Sequence, residues 1–147
     1  MRKKVSRNSL ELRLENYTYP DRFGKMLGFR ITRLDRKNFR AEAALDIARQ
    51  HLSPAARVHG GVISAFFDFT FGAAAFTTLG PRDFCSTVEL KVNYLRPLNL
   101  GDSLRCKASV IFRGKHLCVL NGFVYCKGKK EPVAMATATF NVVRGDH

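Results

Sequence analysis

The chain has 147 residues, enough for one domain with a full core, and 46% of them are hydrophobic. Its formal charge is +13, from 25 Lys and Arg against 12 Asp and Glu, which leaves nucleic acid, an anionic surface or a phosphate-rich small molecule as charge-matched ligands. Asp68, glycines and threonines interrupt the longest apolar run, which argues against a membrane span, and Cys85, Cys106, Cys118 and Cys126 lack the CxxC spacing of a zinc or disulfide framework.

The basic residues are spread along the chain, and no RNP, KH or helix-turn-helix pattern gathers them. The expectation is therefore no nucleic-acid partner, no stable membrane insertion and no metal. The first residues, MRKKVSRNSLELRLENY, lack the apolar centre of a secretory signal, so a cytoplasmic location is expected.

In chain order, residues 1–19 read as a basic N-terminal arm, and residues 20–147 as a single domain. Pro20-Asp21-Arg22-Phe23 opens a short helical turn that ends near Gly28. Strands are predicted over Phe29–Leu34 and Phe39–Leu45, joined by the polar turn Asp35-Arg36-Lys37-Asn38. A loop, Ile47–Val58, carries His51, Ser53 and Pro54 into the run His59–Leu79, which Gly80-Pro81 stops. Four further strands follow: Val88–Tyr94, Leu104–Phe112, Leu117–Tyr125 and Val133–Val142. The class is α+β, with one long central helix wrapped by an antiparallel sheet of about six strands.

The run His59–Leu79 is the centre of that design. From Val62 onward its one charged residue is Asp68, set among Phe66, Phe67, Phe69 and Phe71. At 3.6 residues per turn, Gly61, Ser64, Ala65, Asp68, Gly72 and Ala75 share one small-residue face, open to a ligand or another backbone. A carboxylate inside such a run is costly unless paired, hydrogen-bonded or neutralised. Gly60 and Gly61 put backbone N–H groups at the helix N-terminus, where negative charge is favoured. Those donors and a carboxylate suit attack on a carbonyl; equally, Asp68 suits pairing with a basic side chain at an interface.

These residues resemble a known family. Ser53-Pro54 followed by His59-Gly60-Gly61, Asp68 eight residues after Gly60, and the stretch Thr87–Pro97 with Gly101-Asp102 resemble the hotdog fold and the phenylacetate-degradation (PaaI-like) type of acyl-CoA thioesterase, over roughly residues 22–143. The resemblance implies hydrolysis of an acyl-CoA thioester to free acid and coenzyme A, with coenzyme A entering as part of the substrate and no separate cofactor. It implies Asp68 as general base or nucleophile, the Gly60 N–H as oxyanion donor, His59 as a positioning residue, and Thr87 as a partner-subunit hydroxyl that orients water. The resemblance also implies substrate contacts from Gly61, an acyl pocket lined by a subset of Phe66, Phe67, Phe69 and Phe71, with Phe67 and Phe71 as the candidates, and nucleotide phosphates met by Arg113, Gly114 and Lys115. The implied assembly is a homodimer with shared active sites, paired into a tetramer. Two positions depart from the family pattern: Ser53 stands where Asn is usual, and Ala56 where Gly is common. A non-catalytic acyl-CoA binding or sensing protein is the alternative on this fold. A hotdog dehydratase would need a helix histidine, which is absent.

Overall fold

The computed structural model describes residues 21–145. The expected basic arm therefore lies outside the described residues.

A one-and-a-half-turn helix, α1 (Arg22–Leu27), opens the described chain. Asp21 caps it by accepting the Gly24 N–H at 2.8 Å, and Gly28 ends it in the left-handed region at φ 79°. Strands β1 (Arg30–Asp35) and β2 (Arg40–Asp46) form a hairpin, then a 3₁₀ turn (Arg49–His51) leads toward α2 (Gly60–Phe76). The strands β3 (Phe84–Tyr94), β4 (Ser103–Arg113), β5 (Leu117–Cys126) and β6 (Pro132–Val143) complete the fold.

All six strands make one antiparallel sheet in the order β1-β2-β4-β5-β6-β3. Helix α2 lies across its inner face. The residues that turn toward it alternate along each strand: Ala41, Ala43 and Leu45; Leu104, Cys106 and Ala108; Cys118, Leu120 and Val124; Ala134, Ala136 and Ala138 are all buried. From the helix, Phe66, Phe67 and Phe71 are fully buried in that core. Gly122 on β5 makes room for Phe71, because a Cβ there would lie 2.9 Å from the Lys107 carbonyl and 3.1 Å from Phe71 Cζ. The fold is the hotdog architecture, one long helix wrapped by six strands.

Two details differ from the sequence expectation. The loop before α2 contains the 3₁₀ turn, held by His51, whose Nδ1 accepts the Ala48 N–H at 2.9 Å while Nε2 donates to the Leu27 carbonyl at 2.8 Å. Strand β3 starts at Phe84, four residues before Val88, because its register against β6 shifts between Thr87 and Glu89. That bulge leaves Val88 60% exposed and hides the first part of the strand from an alternation pattern.

Candidate active site

Helix α2 starts in a built turn. His59 is its N-cap, and His59 Nδ1 accepts the Gly61 N–H at 2.9 Å. The His59 N–H donates to the His51 carbonyl at 2.8 Å, and Tyr94 Oη donates to the Gly60 carbonyl at 2.9 Å. These contacts fix the first turn from both sides. Among the described residues, nothing accepts the Gly60 N–H. It is the free donor at the positive end of a helix of 17 residues.

Two turns further on, Asp68 is half-buried rather than buried. Thr87 Oγ1 donates to Asp68 Oδ1 at 2.6 Å, a short charge-assisted bond from β3. Both residues line a cavity of about 350 Å³ with Asp21, Phe69, Gly72, Phe76, Cys85, Ser86 and Phe140. Its lining combines the aromatic Phe69, Phe76 and Phe140 with the polar Asp21, Asp68, Ser86 and Thr87, and Gly72 adds no side chain. Burial first, with Cys118 and Asp68 nearby, pushes the Cys85 thiol up to about 11, so it stays protonated and does not compete as a nucleophile.

The expected small face is present. Gly61 is exposed and Ser64, Ala65, Asp68 and Gly72 are half-buried, while Ala75 is fully buried. The other expected residues take the following positions within the single chain. Phe67 and Phe71 are fully buried on the sheet side of the helix, their rings 5.6 Å apart, and neither lines the Asp68 cavity; Phe69 and Phe76 do. Thr87 reaches the Asp68 of its own chain, where the resemblance implied a partner-subunit hydroxyl.

Gly60 lies away from Asp68, and Ser53 is held in the loop before the helix. The Ser53 N–H donates to the Arg57 carbonyl at 2.7 Å and its carbonyl accepts from the Ala56 N–H at 2.9 Å, a tight loop with Ala56 at φ 57°. Gly60 lines a second cavity of about 430 Å³ with Arg57, Ile63, Tyr94 and Arg96. From Gly60 to Asp68 the helix rises by about 12 Å. Arg113-Gly114-Lys115 forms the exposed β4–β5 hairpin. Through the register, Arg113 is opposite Cys118, Cys118 opposite Phe140, and Phe140 opposite Thr87, so Arg113 ends the same inner row three strand spacings, about 14 Å, from Thr87. Its guanidinium lies 4.1 Å over the Phe39 ring.

Sequence reasoning missed Tyr94 and the cavity residues Phe76, Cys85 and Phe140. Tyr94 had a legible signal, a hydroxyl-bearing aromatic closing the inner row of β3. The others become neighbours only through sheet register. Among the described residues, no group of three or more His, Cys, Asp and Glu is placed to hold a metal ion, and no helix is long and apolar enough to cross a membrane.

Comparison with known proteins gives one consistent answer. Residues 56–133 match the family model of the thioesterase superfamily. A phenylacetic acid degradation-related protein from Ralstonia eutropha, described as a candidate thioesterase, shares 29% identity at a TM-score of 0.80, over 89% of this chain and 97% of that one. A point mutant of the phenylacetic acid degradation protein PaaI from Thermus thermophilus shares 26% at 0.74, over 82% and 98%. A conserved protein from Pseudomonas aeruginosa shares 27% at 0.76, over 82% and 93%. No curated protein matches. The fold, the helix with its N-terminal glycines and the matched region agree: the chain belongs to the thioesterase superfamily and is a PaaI-like hotdog thioesterase, a hydrolase of thioesters.

Proposed function

We propose that the thioester is an acyl-CoA, cleaved to free acid and coenzyme A at a site shared by two copies of the chain. The observation that carries this reading is the Thr87–Asp68 bond in the lining of a cavity with aromatic walls, together with a free helix-terminal N–H at Gly60.

Distance decides how the parts combine. An attacking group and an oxyanion donor must both lie within about 3–3.5 Å of one carbonyl group. The ~12 Å rise between Gly60 and Asp68 prevents one chain from supplying both. A two-fold partner with its helix antiparallel brings its Asp68 beside this chain's Gly60 and the reverse, which makes two sites per dimer. Strand β3 suits such an arrangement: it is a sheet edge of 11 residues, paired among the described residues with β6 alone.

In this site the Gly60 N–H polarises the thioester carbonyl and holds the negative oxygen as the carbonyl carbon is attacked. Asp68 either removes a proton from the attacking water or attacks that carbon itself, forming an anhydride that water then opens. The coenzyme A sulfur leaves with the bonding electrons and takes up a proton. Thr87 holds one Asp68 oxygen and leaves the other free. His59 positions the helix start through Nδ1, and Gly61 keeps that turn close-packed, since a Cβ on it would meet His59 Nδ1 at 3.0 Å. On this reading Arg113 and Lys115, from the exposed β4–β5 hairpin, meet phosphates at the far end of the extended coenzyme, and Gly114 permits the tight hairpin.

The test is thiol release from a panel of acyl-CoAs by wild type, Asp68→Asn and Gly60→Pro, the latter lacking the N–H at a helix position that tolerates proline. Each variant should lose about 10²-fold in kcat. Mixing the two variants should restore about a quarter of wild-type activity, because half the reassorted dimers are mixed and each holds one complete site. Variants that fail to complement would sink the shared site. Saturable acyl-CoA binding without turnover in the wild type would leave a binding protein instead.

A further inference from the structure

The outer face of the sheet, turned away from α2, has no part in thioester cleavage. We propose that it is a groove for single-stranded nucleic acid.

The groove is built by register. On β1, Arg30 is opposite Ala44 of β2, which is opposite Arg105 of β4, which is opposite Tyr125 of β5. The next outer row runs Arg33, Glu42, Lys107, Phe123. Long cationic side chains thus flank the small Ala44, and the trough they leave is about 900 Å³. The β5–β6 hairpin adds Lys127, Lys129 and Lys130 to its lining.

The charge there is mostly unanswered. Of the acids in the trough, Asp46 is bound by Arg30 at 3.1 Å and Ser103 at 2.8 Å, and Glu42 lies 4.0 Å from Arg105. Among the described residues, Lys107, Lys127, Lys129 and Lys130 have no ion-pair partner. A stripe of free lysines on one face of a chain with pI near 10.1 is an electrostatic footprint for a polyanion.

The aromatics decide which polyanion. Tyr125 is half-buried on the groove wall, Lys107 Nζ lies 5.7 Å from its ring centroid, and Phe123 stands 6.4 Å away. A ring beside a cation serves an unpaired base and its phosphate together, and stacking accepts any base. A duplex hides its base faces, and this face presents no helix to a major groove. A second copy of the chain would set these lysines against themselves. The groove and the Asp68 cavity are on opposite faces of the sheet, so both can be filled at once.

The experiment is a titration of the full chain with fluorescein-labelled oligo(dT) and oligo(U) of ~12 nucleotides, against a duplex of equal length, at several salt concentrations. Lys127→Glu/Lys129→Glu/Lys130→Glu is compared with Lys25→Glu/Lys37→Glu/Arg49→Glu, which changes the charge equally at exposed positions elsewhere. The hairpin variant should weaken single-strand binding by ~10-fold or more and flatten the salt slope by about 2, and the control should change it far less. Tyr125→Leu should cost single strands ~10-fold and leave duplex binding unchanged. Thermal unfolding and sedimentation of each variant check that fold and assembly are kept. Equal losses in the two triple variants, duplex bound as tightly as single strand, or no binding at ~50 mM salt would each overturn the proposal. A changed assembly in the hairpin variant would do so too, assigning the face to another copy of the chain.

Discussion

Thr87 Oγ1 donates to Asp68 Oδ1 across 2.6 Å, from an edge strand to the middle of the central helix. The bond joins the one acid of the apolar run to the strand that follows it. It also restrains the carboxylate's rotation by holding one of its two oxygens.

Removing that donor should therefore cost rate. Thr87→Val keeps shape and loses the hydroxyl, and a hydrogen bond to a charged group is worth about 1.5–3 kcal/mol. We expect kcat to fall by about 10-fold or more in thioester hydrolysis, with Thr87→Ser close to wild type. Equal losses in both variants would show that the threonine methyl, not the hydroxyl, matters.

Gly122 should not accept a side chain. A Cβ there meets Phe71 and the Lys107 carbonyl, and the carbonyl belongs to a paired strand that cannot step aside. Overpacking of this kind costs about 1–3 kcal/mol. Gly122→Ala should lower the midpoint of thermal unfolding by several degrees; an unchanged midpoint would mean that the sheet yields there.

Ala56 offers the opposite change. It sits at φ 57° in the loop before the central helix. Left-handed backbone costs a non-glycine residue ~1–2 kcal/mol, while glycine adds ~0.4–1 kcal/mol of unfolded-state entropy. The first effect is larger, so Ala56→Gly should stabilise the fold by about 0.5–1 kcal/mol in urea unfolding.

Asp83 should shape the acid limb of stability. The Gly80 N–H first, then Arg144, with the Gly145 N–H also contributing, hold its carboxyl at about 2, against an ordinary value of 3.8. A depressed carboxyl contributes stability above its unfolded value and loses it as pH falls through its folded one. Wild type should lose unfolding midpoint between pH 3.8 and about 2 more steeply than Asp83→Asn. Parallel curves for the two proteins across that window would contradict this.

Much of the fold was legible in the chain because its signals are local. Alternation marks β4 and the latter part of β3, an apolar run marks β5, glycine and proline mark the ends, and the run from Gly60 to Phe76 reads as a helix with Asp68 on its small face. The candidate site was legible in part: Gly60, His59 and Asp68 are placed by spacing along one helix. What the sequence could not decide is which strand faces which. Extrapolated from Leu90, Val92 and Tyr94, alternation would turn Val88 and Ser86 inward; the bulge instead exposes Val88 and turns Thr87 toward Asp68. Phe67 and Phe69 are two residues apart in one apolar run, yet the first is sealed against the sheet and the second lines the cavity. Arg33, Lys107 and Tyr125 meet on the outer face only through the pairing of β1, β2, β4 and β5. Periodicity is set by each residue's own backbone, whereas register is set by contacts between residues far apart in the chain, and only tertiary packing selects it.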